Sequence, residues 1–332
     1  IVREYDQLKE DTVKSELSTT GNHAQTASVL KDLESIMTGS TDANLSVRLQ
    51  EFWSSWQDLA NNSDSLAFRT ILLQRSQALT NQFTDLNNNL TDYKSGILSG
   101  TGDTASGSLP RELDDINSFA TEIASLNKTI FLMSSRGNDV NTLMDRRDVL
   151  VNDLSAKINV DVVREDNQTY TITVDGQNLV TGFDANAITV SNDNPIQLQL
   201  DGLDINPTNG AVAGFIAASA EIDNLVAGLN TLASNLISEV NSIHLTGYDL
   251  YGQHASDDYD PAHTFFSGTD ATDIAVNNTI IEDPALIAAA ATRYSNGPPP
   301  LPNIGDGAQA LAVAALCSTN ITNLHNLTFG QY

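Results

Sequence analysis

The residue types best suited to chemistry gather between His244 and His263. His244, His254, Asp257, Asp258, Asp260 and His263 are imidazoles and carboxylates, side chains that hold divalent metals and move protons. Their spacing fits no metal pattern. The helical His pair at i and i+4 with a glutamate is absent. The three aspartates lack the glycine and the distal bidentate glutamate of a calcium loop. A solvated acidic loop is the preferred reading, and a metal-dependent hydrolase is the enzymatic alternative.

Two other places could carry reactivity. In "MDRRD", Met144–Asp148, Arg147 falls on an apolar stripe, four residues after Leu143 and three before Leu150. Asp148 sits at the stripe's margin. A charge there must pair or snorkel. The functional reading is an acid–base pair, and the structural one an Arg–carboxylate bridge between two helices, which is preferred. Cys317, the single cysteine, lies in the small-residue stretch "LAVAALCSTN", where a packed core thiol is expected rather than a nucleophile. One cysteine allows neither an internal disulfide nor a cysteine-based zinc site. No nucleophile elbow, P-loop or glycine-rich dinucleotide turn occurs.

The elements that would position these groups follow from periodicity. The chain has 332 residues, 42 acidic and 16 basic, for a formal net charge of −26. That balance opposes binding to nucleic acid or anionic lipid, both of which need clustered Lys and Arg. No run of apolar residues is long enough to cross a bilayer. Residues 1–37 read as polar and helical, with Gly39 as a stop. Asp42 or Asn44 can cap the next helix, which holds both tryptophans: Leu49, Phe52, Trp56 and Leu59 follow at steps of three, four and three, and Trp53 and Trp56 share a side. Leu79, Phe83, Leu86, Leu90, Tyr93 and Ile97 form a bundle seam, ended by the Gly/Ser/Thr loop 99–108. Leu113, Ile116, Ala120 and Ile123, continued by Leu126, Ile130 and Met133, mark another helix from Pro110. "RGND", Arg136–Asp139, breaks it, and a helix carrying Leu143, Leu150, Leu154 and Ile158 follows.

The period then changes to two. Tyr170, Ile172 and Val174 take one face of a strand, as do Ile196, Leu198 and Leu200, each strand ending in an Asp-Gly hairpin signal. A helix returns over 211–246, with Gly247 expected as its cap. A strand is expected at "DIAVNNTII" and an Ala-rich helix from Asp306. The expected class is α+β, mainly α: a discontinuous helical bundle (1–157 and 207–332) with an inserted β domain (158–206). The tryptophans are expected to act as packing between helices, with a binding groove as the weaker reading.

Four stretches, "LSVRLQEFWSSWQDLANN", "LMDRRDVLVNDLSAKINVDVV", "NSIHLTGYDLYGQ" and "GDGAQALAVAAL", occur in this order, after the opening "VREYDQL". Together they resemble the flagellar hook-associated protein 1 family. Leu59, Ala60 and Asn61 match its Leu-Ala-Asn after an aromatic pair. Asp145, Arg147 and Asp148 match its Asp-x-Arg-Asp helix, and Gly247, Tyr248 and Gly252 its Gly-Tyr-Asp turn. The chain departs from the family at Trp53 and Trp56, often Phe and Leu there, and at Ser219 and Ala220, where an Arg-Asp pair is usual. The resemblance implies a structural part of the bacterial flagellum at the hook–filament junction, exported and extracellular, with no catalytic residue, cofactor or metal. Trp53, Trp56, Asp145, Arg147 and Asp148 are its structural residues. Implied partners are the flagellar hook protein, hook-associated protein 3, further copies of the chain in the junction, and an export chaperone engaging a C-terminal segment. Nucleic acid and membrane are not among them. The chain is expected to begin and end just inside the family's terminal coiled-coil segments and to be a monomer by itself. Hook-associated protein 3 or a flagellin-like protein is the near alternative, and a coiled-coil adhesin a more distant one.

Overall fold

The computed structural model describes residues 7–39, 44–99, 108–193, 195–256, 263–295 and 301–332. Five helices come first: α1 (Gln7–Thr38), α2 (Leu45–Asn61), α3 (Leu66–Ser99), α4 (Leu109–Ser134) and α5 (Asn141–Lys157). Seven strands follow: β1 (Asp161–Arg164), β2 (Tyr170–Val174), β3 (Gln177–Thr181), β4 (Asp184–Ala185), β5 (Ile188–Asp193), β6 (Ile196–Leu200) and β7 (Leu203–Ile205). Then come α6 (Gly210–His244), β8 (Phe266–Ser267), β9 (Ala275–Val276), α7 (Asn278–Glu282), β10 (Arg293–Ser295), β11 (Leu301–Pro302) and α8 (Ala308–Ala315). The class is mainly α with small antiparallel sheets, as the periodicities imply.

Local chemistry sets many boundaries. Asn44 caps α2, accepting from the Val47 amide at 2.9 Å. Gly39, at φ +50°, follows α1 in the left-handed conformation that ends a helix. Both Asp-Gly pairs are left-handed at both positions (Asp175 +49°, Gly176 +74°; Asp201 +54°, Gly202 +75°), which makes them two-residue hairpin turns between β2 and β3 and between β6 and β7. β1 to β4 form one sheet in sequence order and β5 to β7 another. Tyr170, Ile172 and Val174 are all buried, on one face of β2.

Three expectations need correction. Gly247 does not cap α6, which ends at His244; it lies where an added Cβ would meet Gln309, Ala288 and the Ala290 carbonyl, so it serves close packing. "DIAVNNTII" is a two-residue strand followed by a helical turn, because the Asn277 side chain accepts from the Thr279 amide and caps α7. One helix, α6, does have the length and composition of a membrane span, with mean hydropathy 1.4 over an 18-residue window. Of that window 44% is buried inside the protein, the property of a core helix, and we read it as one.

The contacts divide the chain into two compact units, Ile1–Glu34 with Asp92–Asp223, and Ser35–Thr91 with Asn224–Tyr332. The strands β1–β7 fall within the first unit, together with α4 and α5. The second joins α2 to α7, α8 and the short sheets. Its core is aromatic: Phe52, Trp56, Phe265 and Phe266 are at most 1% exposed.

Candidate functional site

Two buried polar nodes and one groove are the places where function could reside. In the first unit α4 packs on α5 and on β3 to β5. The α4 stripe Leu113, Ile116, Ala120, Ile123 and Ile130 is buried, and Asn127 lies within it, fully buried. Its side-chain nitrogen donates to the carbonyls of Tyr170 and Gly182, both at 2.9 Å. Its oxygen accepts from the Tyr170 amide at 3.0 Å and from Arg147 Nη1 at 2.8 Å. Every hydrogen-bonding group of the amide is used, and the helix is thereby tied to the sheet.

Arg147 is buried, as its place on the stripe requires. The expected carboxylate bridge is replaced by hydrogen bonds to two uncharged oxygens, Asn127 Oδ1 and the Gln168 carbonyl at 2.7 Å. The guanidinium also lies 3.6 Å over the Tyr170 ring. Asp148 is half-buried and takes part through Tyr170, whose hydroxyl donates to it at 2.9 Å. Burial holds Arg147 below its usual pKa, against the opposing effects of Tyr170 and Asp148. The Tyr170 phenol is pushed up by burial and by the Asp148 charge. Asp145 is exposed on the other side of α5.

The second node was not singled out in the sequence. Arg69, on α3, is 1% exposed and donates to three backbone carbonyls: Ser63 at 2.8 Å, Ala285 at 3.4 Å, and Ile287. Burial lowers its pKa to about 10. Its signal was present: stepping back from Leu79 by three, four and three gives Ser76, Leu72 and Arg69, all buried. His244 holds the same segment from α6, its Nε2 accepting from the Ala288 amide at 2.9 Å. Complete burial, with lesser contributions from Arg69 and His263, lowers His244 to about 3, so it is neutral.

These placements bear on the enzymatic alternative. His244 is engaged with backbone, and His254 lies against the Tyr248 ring at 4.9 Å, within hydrogen-bond distance of the Ser256 hydroxyl. Asp257, Asp258 and Asp260 lie outside the described residues. Among the described residues no group of three His, Cys, Asp or Glu side chains could hold a metal ion.

Trp56 is fully buried against Phe52 and Phe265, with ring centroids 6.3 Å and 5.0 Å away. Trp53, 8% exposed, faces Phe52 and Phe329 and lines an apolar groove of about 790 Å³ in the second unit. Cys317 lines the same groove. It is exposed and not a core thiol, because α8 ends at Ala315 and Cys317 falls in the 3-10 turn that follows.

Long helices with buried side chains spent on backbone carbonyls, and a β segment between α5 and α6, define a helix-built scaffold whose polar interior is given over to its own architecture. The chain belongs to the family of the flagellar hook-associated protein FlgK helical domain, whose model matches residues 30–259. Flagellar hook-associated protein 1 of Escherichia coli (strain K12) is 26% identical over 307 residues, 87% of this chain and 54% of that protein. The protein of the same name from Bacillus subtilis (strain 168) is 22% identical over 283 residues, 73% of this chain and 53% of that one. The chain thus spans about half the length of these curated relatives. The solved flagellar hook junction protein FlgK from Burkholderia pseudomallei has the same fold, with a TM-score of 0.63 at 21% identity over 78% of this chain and 46% of that one.

Proposed function

We propose that this chain is a structural building block of the bacterial flagellum, working at the junction between hook and filament. The observation that carries the reading is the family match across residues 30–259, which takes in α2 to α5, the strands β1–β7 and α6. The interior supports a mechanical role. Arg69, Arg147, Asn127 and His244 are buried, and their hydrogen bonds fix helices, strands and a loop segment in place. An enzyme would keep some of them for a substrate. We therefore assign it no catalytic activity.

On this reading the protein is exported and works outside the cell. It meets the flagellar hook protein on one side and hook-associated protein 3 on the other, with further copies of itself beside it and an export chaperone before assembly. The isolated chain is a monomer, since a net charge of −26 opposes association across charged faces. Deleting the gene in the source bacterium tests the role. Cells are expected to keep hooks but lose filaments, with filament subunits shed into the medium, and restoring the gene restores filaments. Normal filaments on the deletion strain would refute it.

A further inference from the structure

The groove of the second unit has two helical walls. On α2 its lining positions are 45, 46, 49, 50, 53, 54 and 57, and on α6 they are 224, 225, 228, 229 and 232. Both sets repeat as one face of a helix. At about 1.5 Å per residue the α2 wall is roughly 18 Å long, about three turns. Two helix faces flanking an apolar channel are the surface on which a third helix seats its own stripe. Gly228 lies partway along the α6 wall. A Cβ added there would find only the Tyr332 hydroxyl within 4 Å, at 3.9 Å, so the wall has a notch where a partner side chain fits.

The charge of the lining narrows the occupant. The chain carries 42 acidic and 16 basic residues, yet none of the groove's eighteen lining residues is charged. A helix with basic residues on its buried stripe would leave them without a carboxylate in the groove, at the cost of uncompensated buried charge. One with an acidic stripe would meet the same cost and the repulsion of the surrounding protein. A second copy would bring −26 against −26. We propose that the groove between α2 and α6 docks an amphipathic helix of a partner, about three turns long, through an uncharged apolar stripe. The inference does not rest on the junction reading.

Cys317 allows a direct test on the whole chain, because it is the single cysteine, is exposed and lines the groove. It would be labelled with an environment-sensitive fluorophore and titrated with two designed peptides of equal length. One carries a Leu/Ala stripe and a Gln/Ser outer face; the other has lysines at alternate stripe positions. The neutral peptide is expected to give a saturable one-to-one response, and the lysine peptide to bind roughly tenfold more weakly or worse. Gly228→Leu fills the notch, and Leu225→Asp puts a charge in the wall; each is expected to weaken the neutral peptide roughly tenfold while the melting temperature stays near that of the parent. Variants that unfold leave the comparison of the two peptides on the parent chain as the deciding measurement. No saturable response, or equal affinity for both peptides, overturns the proposal. So does one-to-one binding of the dye ANS that the neutral peptide does not displace, which would make the groove a small-molecule cavity. A label response to protein concentration alone, matched by a dimer in light scattering, overturns it in favour of a second copy.

Discussion

Each unit of the molecule buries one arginine completely, and the two are satisfied differently. Arg147 in the first unit shares its load with a fully used asparagine, one carbonyl and the face of Tyr170. Arg69 in the second unit takes three carbonyls from two chain segments. Neither has a carboxylate as its hydrogen-bond partner in these contacts. Asp148 lies one side chain away, beyond Tyr170, and Asp249, Asp283 and Asp64 raise the Arg69 pKa through charge alone. A guanidinium has five N–H donors in a fixed fork, so it can close several backbone acceptors where no regular secondary structure does. In the first unit a sheet already satisfies most neighbouring backbone, and the arginine only trims it. In the second, the irregular segment Pro284–Ala290 depends on side chains, and the arginine replaces a missing strand.

Truncation tests that difference most strongly. Arg69→Met leaves three buried carbonyls without their donor and is expected to cost about 4 kcal/mol. Arg147→Met orphans one carbonyl, since Asn127 Oδ1 keeps the Tyr170 amide, and should cost about 2 kcal/mol. Hydrogen exchange read peptide by peptide in both units gives the two numbers, and tryptophan fluorescence in urea checks the second unit, which holds both tryptophans. Equal costs, or a larger one for Arg147, would show that counting carbonyls does not rank these nodes.

Acid separates the units next. His244 is neutral in the folded protein and protonated in the unfolded chain between about pH 3 and its ordinary value of 6.5. Its contribution is complete above pH 6.5 and is lost as the pH falls, at about 1.4 kcal/mol per unit, or about 3 kcal/mol by pH 4. Carboxylates titrate over part of this window in both units. The informative quantity is therefore the difference between the parent and His244→Gln, whose amide oxygen can accept from Ala288 without titrating. Second-unit stability in the variant should fall less steeply with acid, and first-unit exchange should be indifferent to the substitution. Parallel pH profiles for the two proteins would remove His244 from the account.

Much of this architecture was legible in the sequence. Stripes of period three and four located α2 to α6, and period two with Asp-Gly turns located β2, β3, β6 and β7. Arg147 could be placed because a charge at a stripe position has few options. Its partner could not, because Asn127 is brought to it only when α4 lies on the sheet. Leu126 drew the eye as the next apolar residue, although the alternation of three and four from Ile123 falls on Asn127. Arg69 was missed for a related reason, since the α3 seam was followed forward from Leu79 and not backward. The α7 region was misread because Asn277 caps a turn in the middle of a β-rich composition. The groove could not be read at all, since it depends on how far apart two helix faces stand.

Asn127 offers the next test of the first unit. Asn127→Ala removes two donated and two accepted hydrogen bonds together. Some of the freed strand groups keep their ladder partners, so the expected loss is about 2 to 3 kcal/mol. The exchange protection lost should include β2 and the Gly182 turn as well as α4. Loss confined to α4 would mean that the sheet holds itself and that Asn127 is incidental to the helix–sheet contact.

The smallest expected effect separates the ring of Tyr170 from its hydroxyl. Tyr170→Phe keeps the aromatic face under the Arg147 guanidinium and removes the hydrogen bond to Asp148. Asp148 is half-buried and remains open to water, so its lost partner is largely replaced by solvent. The expected cost is about 1 kcal/mol, toward the lower end of the range for bonds to a charged group. Tyr170→Leu removes the ring as well and should cost more than Tyr170→Phe, by about another 1 kcal/mol of cation–π attraction and packing. If the two substitutions cost the same, the contact at 3.6 Å contributes nothing beyond apolar burial, and Arg147 is held by its two oxygen acceptors alone. If Tyr170→Phe is the more damaging, Asp148 reaches the arginine through the phenol. The first unit would then contain, by way of a tyrosine, the carboxylate-linked arginine that its sequence suggested.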